Sequence, residues 1–333
     1  MTLEDLRLLE GKGLLLEMGD LIPEKLRKVL LPGAMEIGTI EGSLFGMPAG
    51  VRAETLAVAE AVWGEDAWRL EDVIGLMEEG KLQGTLRSPY LMGDYTNPSI
   101  TVLRLVIYGL EDSFLIDWEN RECHFDDERF VRLLELAAED KSGVSAGTDA
   151  WLGDGGKNIL WGYFTKEADF LDFFAHMEKE GGQIPGFPGE GSCGSYLAAD
   201  GVLAVNANIA RKEAAACFLE TLLGEEGQKQ KDGQYLSVRR LSPEDYIVKE
   251  ESGRLVFMGG MNAREVPVFG DGSTALHRAA AFLESCEAAP SVDFRITAII
   301  LEELDTMYAE GKPAHTAAGI INRRVQLYLD ERN

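Results

Sequence analysis

The chain has 333 residues, 45% of them hydrophobic and 27% charged, which leaves room for about two domains of ~150 residues and a sizeable core. Its 57 acidic and 32 basic side chains give a net charge of −25. Such a surface repels nucleic-acid phosphate and anionic headgroups alike, so nucleic acid is set aside as a partner; the same excess keeps a protein in solution.

In chain order, Leu3 to Leu16 reads as a helix ending near Gly11 or Gly13. "SLFGMPAGVRAETLAVA" (43–59) starts strand-like, and Gly46, Pro48 and Gly50 suit an extended crossing segment. "WRLEDVIGLMEEG" (68–80) carries Leu70, Val73, Ile74 and Met77 at helical spacing and stops at Gly80. "NPSITVLRLVIYGL" (97–110) places Pro98 in a first turn capped by Asn97. "DDERFVRLLELAAED" (126–140) is an amphipathic helix whose acidic first turn suits the helix dipole. "ADFLDFFAHMEKEGG" (168–182) is a helix closed by glycines, and "GVLAVNANI" (201–209) a short apolar strand. "ARKEAAACFLETLLGEEGQ" (210–228) is a helix with Ala214, Phe218 and Leu222 on one face. Two long helices, Asp293 to Glu310 and Pro313 to Asp330, close the chain around Gly311. Strands alternating with helices predict an α/β fold.

The four cysteines are Cys123, Cys193, Cys217 and Cys286. None belongs to a C-x-x-C pair or has a histidine at zinc-finger spacing. Cys123 beside His124 does not make a metal site, and Cys217 is expected in the core. No run of 18 apolar residues occurs, so no stretch is long and apolar enough for a membrane-crossing helix. "MTLEDLRLLEGKG" has no basic n-region and no signal-peptide core.

The nucleotide motifs fail on context. "GFPGEGSCG" (186–194) holds a formal G-x-G-x-x-G at Gly189, Gly191 and Gly194. A dinucleotide fingerprint needs a strand before it and a helix opening on it. Here Pro185 and Pro188 precede the last glycines, and "SYLAADGVLAV" leads into a strand, so a loop is predicted. "GDGGKN" (153–158) lacks both the first P-loop glycine and a Ser or Thr after Lys157. The four histidines, His124, His176, His277 and His315, lie far apart; no H-E-x-x-H or G-x-S-x-G occurs. Nothing points to an enzyme or a cofactor, although an Asp/Glu glycosidase pair stays open.

The aromatics point further. Trp151, Trp161, Tyr163, Phe164 and Phe187 fall in segments read as loop-rich. They serve either as core packing or as a platform on which the apolar face of a sugar stacks while polar groups bond its hydroxyls.

Four stretches carry a family resemblance. "EGSLFGMPAGVRAETLAV" resembles the "dGklYglP" segment of extracellular solute-binding proteins of ABC importers. "GVLAVNANIARKEAAACFLETLLGEEGQKQ" resembles their strand and helix ending in a Glu-Glu-Gly-Gln turn, and "EELDTMYAEGKPAHTAAGIINRRVQLYLDE" their C-terminal helix pair. "WENRECHFDDERFVRLLELA" also fits. The subgroup is the carbohydrate-binding, maltose-binding-protein-like one, and the likeness runs in order along nearly the whole chain. "LEGKGLLLEMGDLIPE" resembles a stretch that comes later in family members, so the signal, the anchoring cysteine and the first βαβ block are expected to be missing.

The resemblance implies a two-lobed, type II periplasmic-binding-protein-like fold with an incomplete N-terminal lobe. That lobe would hold 1–50 and 208–284, and the C-terminal lobe 51–207 and 285–333, with crossings near 48–51, 205–208 and 285–290. Hinge residues would be Pro48, Gly50 and Asn206. Ligand contacts would be Arg52, Asp94, Tyr95, Trp161, Tyr163, Phe164, Phe187 and Glu190; for Arg52, an ion pair with Glu54 is the alternative role. The implied function is non-enzymatic capture of a sugar by a monomer that hands it to an ABC permease, in an extracellular, lipid-anchored setting. A glycoside-acting enzyme, a sensor lobe for a membrane receptor and a remnant without function are the alternatives.

Overall fold

The computed structural model describes residues 1–63, 68–82, 86–87, 98–110, 114–139, 157–189, 194–229, 235–251, 254–259, 266–268, 272–290 and 292–331. The chain divides into two compact units. The first comprises Met1–Glu54, Tyr163–Lys179 and Ser195–Ala289; the second comprises Thr55–Gly162, Glu180–Gly194 and Pro290–Asn333. The boundary falls inside the strand Arg52–Ala59 and inside the strand Ile159–Phe164.

The first unit opens with the helix Leu3–Glu10. Thr2 accepts from the Asp5 amide and Asp5 accepts from the Thr2 amide, a reciprocal cap that fixes the start. Leu15–Leu16 pairs antiparallel with Val205–Asn206, and Met47–Pro48 pairs antiparallel with Val202–Leu203. The apolar run 201–209 is therefore two short strands rather than one, because it changes partner at Ala204. The start of Arg52–Ala59 pairs antiparallel with Tyr196–Ala198, in the register Ala198↔Arg52 and Tyr196↔Glu54. Tyr196–Ala198 in turn runs parallel to Glu287–Ala288. Three antiparallel strands, Tyr246–Glu251, Arg254–Gly259 and Val266–Val268, form a separate small sheet.

The run 210–228 forms two helices, Lys212–Leu223 and Glu225–Lys229, broken where Gly224 turns extended. The expected apolar face is corrected: Leu219 and Leu223 are buried, while Ala214 is exposed and Phe218 is 57% exposed. Alanines ring this helix, so its sequence does not select a face. Cys217, expected in the core, is exposed.

In the second unit, Leu86–Arg87 runs parallel to Ile159–Leu160, and Gly182–Gln183 is antiparallel to the end of Arg52–Ala59. Helices Pro98–Val106 and Glu128–Glu139 pack with the terminal pair Phe294–Glu310 and Ala314–Glu331, and Leu70–Glu78 packs against Glu128–Glu139. Asp293 caps the penultimate helix by accepting from the Arg295 and Ile296 amides at 2.9 and 3.1 Å. Gly311 ends it at φ 67°, a left-handed turn that glycine adopts without steric cost. The core between these helices is apolar: Val102, Phe130, Leu133, Ile300, Ile321 and Val325 are buried.

Candidate functional site

Among the described residues of the first unit, a set of polar and aromatic groups gathers at Arg52. Residues two apart on a strand share a face, so Arg52 and Glu54 stand side by side. Arg52 Nε donates to Glu54 Oε1 at 2.8 Å, and Glu54 is 1% exposed. The register Ala198↔Arg52 brings the connection after Tyr196–Ala198 over the same arginine, and Arg52 Nη1 donates to Asp200 Oδ1. The hydroxyl of Tyr235 donates to the other oxygen of Asp200 at 2.9 Å. The guanidinium carbon of Arg52 lies 5.7 Å from the ring centroid of half-buried Tyr163, within cation–π range.

Backbone geometry delivers Tyr235 to this group. Val51 and Leu236 exchange amide hydrogen bonds at 3.0 and 2.8 Å. The approach needs Gly50, because a Cβ there would lie 2.7 Å from Cβ of Tyr235. Burial works against the charge on Arg52. The hydrogen bond and charge of Glu54 oppose that effect, followed by Tyr163 and Asp200, and the guanidinium pKa is raised above its ordinary value. The Tyr235 hydroxyl is also pushed up, first by its hydrogen bond to the Asp200 carboxylate. The result is a fixed set of donors and acceptors beside an aromatic ring, suited to hydrogen bonding and stacking.

The other expected contacts are placed as follows. Trp161 is 3% exposed, with the Arg104 guanidinium 4.2 Å from its ring centroid. Phe164 is fully buried, with the Phe170 and Phe173 rings 5.4 and 4.9 Å away. Phe187 is buried edge-on to Tyr108 at 4.6 Å. Residues 160–164 lie in a strand, not in a loop, and all of them are buried except half-buried Tyr163. Asp94, Tyr95 and Glu190 lie outside the described residues, as does Trp151. Of the hinge residues, Pro48 pairs with Val202, Gly50 abuts Tyr235, and Asn206 accepts from the Asn208 amide at 2.8 Å. Arg52 does make the ion pair with Glu54 that was its alternative role, and Tyr163 joins the same group.

The glycine-rich segment closes on itself. The amide of Phe187 donates to the Gly194 carbonyl at 2.9 Å, Gly186 has φ +77°, and the strand Tyr196–Ala198 follows. Among the described residues, the element after Gly194 is that strand and not the helix a pyrophosphate cradle needs. Among the described residues, no three His, Cys, Asp or Glu side chains group to hold a metal, and no helix is long and apolar enough to cross a membrane.

No protein-family model and no curated protein matches the sequence. Solved structures do. A protein described as extracellular solute-binding protein family 1, from Alicyclobacillus acidocaldarius, aligns over 99% of this chain and 83% of its own, with 14% identity and a TM-score of 0.55. The sugar-binding protein MalE from Xanthomonas citri aligns over 96% of this chain and 80% of its own, with 16% identity and a TM-score of 0.52. The fold is that of the extracellular solute-binding proteins. Both similar structures are described as binding proteins.

Within this solute-binding-protein fold, two members of the Arg52 group escaped the sequence reading. Asp200 precedes Gly201, and an Asp-Gly pair between apolar runs is a turn signal that could have marked it. Tyr235 had no local signal; its place depends on the pairing of residue 236 with residue 51.

Proposed function

We propose that this chain binds a small solute, a sugar or oligosaccharide, without altering it, outside the cell and for delivery to an ABC permease. The observation that carries this reading is the Arg52 group on a solute-binding-protein fold. A guanidinium, two carboxylates and two tyrosines supply acceptors and directed donors, and the Tyr163 ring supplies a flat apolar surface. Sugar recognition asks for that combination: placed polar groups beside an aromatic lining.

Arg52 and Tyr163 are the proposed contacts, now joined by Asp200 and Tyr235. Asp94, Tyr95 and Glu190 are kept as proposed contacts from the family resemblance, as are Pro48, Gly50 and Asn206 as hinge residues. Trp161, Phe164 and Phe187 are assigned to support, since each is buried against neighbouring side chains.

The test is thermal unfolding against a panel of mono- and oligosaccharides. A ligand that binds only the folded chain raises the melting temperature with concentration, by about 2.7 kcal/mol of added stability at a hundredfold excess over Kd. A dose-dependent rise with one sugar supports capture. A single cooperative melt that no sugar moves overturns it, and release of chromophore from a nitrophenyl glycoside would replace it with an enzyme.

A further inference from the structure

We propose that Gln228 is a positioning residue of the Arg52 group: its carboxamide replaces a backbone rung between Ala49 and the segment that carries Tyr235, and so holds the Tyr235 hydroxyl on Asp200. The inference rests on the function proposed above and concerns what keeps that site in shape. Every group in it belongs to the first unit.

Gln228 is 3% exposed, and protein groups fill its whole hydrogen-bonding capacity. Its Nε2 donates to the Ala49 carbonyl at 3.2 Å and to the Leu222 carbonyl at 2.9 Å. Its Oε1 accepts from the Ser237 hydroxyl and from the Val238 amide, each at 3.1 Å. A carboxamide has two N–H donors and two acceptor lone pairs, so none is left over. The partners also fix which way the amide points, because a carbonyl only accepts and the Val238 amide only donates. A buried polar group satisfied in this way rigidifies the segments it joins.

The place of the carboxamide gives it its role. Val51 and Leu236 form an antiparallel pair that exchanges both amide bonds. In the same register Ala49 stands opposite Val238, and an antiparallel ladder would repeat the exchange there. Among the described residues, no backbone hydrogen bond joins those two. Gln228 fills the gap: Val238 donates to it, and it donates to Ala49. Gly227 permits the reach. A Cβ there would lie 2.2 Å from the Thr221 carbonyl oxygen and 2.6 Å from that of Leu222, so glycine lets Glu225–Lys229 fold against the end of Lys212–Leu223. Tyr235 directly precedes the two rungs, and its hydroxyl meets Asp200 at 2.9 Å. With the second rung gone, the Val51–Leu236 pair alone would have to hold the tyrosine in line.

The experiment uses the full chain with its tyrosines carbon-labelled at Cζ, whose NMR shift follows ionisation of the hydroxyl. The Tyr235 signal is the one that Tyr235→Phe deletes. The hydrogen bond to Asp200 holds the Tyr235 pKa above its ordinary value, so the titration reports whether that bond is made. Gln228→Met keeps the bulk of the side chain and removes all four bonds. The Tyr235 pKa should fall toward the ordinary value, and affinity for the sugar identified by thermal shift should fall several-fold. In the Tyr235→Phe background the same substitution should lower stability again and affinity no further, because residues that act through one another do not add. Gln228→Glu keeps an acceptor for Ser237 and Val238 and regains a donor only when protonated, so its affinity relative to the unaltered chain should recover as pH falls. If Gln228→Met does not fold, Ser237→Ala removes one bond to Oε1 and should move the Tyr235 pKa the same way by less. A Tyr235 pKa that the folded variant leaves in place, or losses of affinity at Gln228 and Tyr235 that add, overturns the positioning role and leaves sugar capture standing. Binding of no sugar overturns the functional reading, and the Tyr235 titration still decides whether Gln228 holds the hydroxyl.

Discussion

Trp161 and Tyr163 lie two residues apart on one strand, and each carries an arginine against its ring. The Arg104–Trp161 contact is closer, at 4.2 Å, and Trp161 is 3% exposed. The Arg52–Tyr163 contact is looser, at 5.7 Å, on a half-buried ring. The side-chain chemistry is nearly the same, but exposure separates the roles. A ring sealed from water contributes packing and transfer free energy. A ring that keeps an accessible edge, next to an arginine with unspent donors, can meet a solute. Mutations should therefore separate the two: changes at the first contact act on unfolding, and changes at the second act on ligand.

The largest effect is expected at the sealed contact. Trp161→Ala removes a buried aromatic and should cost about 3–5 kcal/mol, read as a fall in the midpoint of urea unfolding. If the loss is under about 1 kcal/mol, the ring is not core and the contrast with Tyr163 collapses.

Next comes Arg52, which belongs to both categories. Arg52→Ala takes the Arg52 guanidinium away from buried Glu54, a loss of roughly 3 kcal/mol where such a pair is fully buried and less here, because Arg52 keeps 21% exposure. Stability and recognition can be separated with the double variant Arg52→Met, Glu54→Leu, which removes both charges at similar volume. It should recover most of the lost stability and still fail to bind sugar. A double variant that recovers stability and sugar response together would show that Arg52 acts only through packing.

The sequence and the structure part company here for physical reasons. Helix ends were legible because their signals are local: Asp293 caps one helix and Gly311 closes it, and both act within one turn. Arg52 and Tyr163 were legible as residue types at a strand start and in an aromatic run. Which aromatic is open was not legible. The strand Ile159–Phe164 is buried at every position but Tyr163, so its sequence is apolar throughout, with no alternation to mark a face. Asp200 and Tyr235 depend on pairing between distant segments, Ala198 with Arg52 and Leu236 with Val51, and local patterns do not encode such partners. The face of Lys212–Leu223 failed for a related reason: alanine is compatible with either environment, so Phe218 and Leu219 looked equally entitled to the core.

A smaller effect tests the backbone route by which Tyr235 arrives. Gly50→Ala places a Cβ 2.7 Å from Cβ of Tyr235, an atom close to the backbone that cannot swing aside. The 235–236 segment must shift, at a cost of about 1–3 kcal/mol. Sugar affinity should fall along with stability, because Tyr235 loses its line to Asp200. Lost stability with unchanged affinity would remove Tyr235 from the site.

The smallest expected change is the most informative about the open contact. Tyr235→Phe deletes one hydrogen bond to Asp200 and nothing else of the ring. Because Asp200 is 60% exposed, water can replace the lost donor, and the stability change should stay at or below about 1 kcal/mol. The carboxylate then keeps one bond, to Arg52, and gains freedom. If Tyr235 works by holding Asp200 in position, the variant should weaken sugar binding several-fold with the melting temperature of the free chain nearly unmoved. If the hydroxyl is only a surface contact, both measurements stay put, and Arg52 and Tyr163 must account for recognition without it.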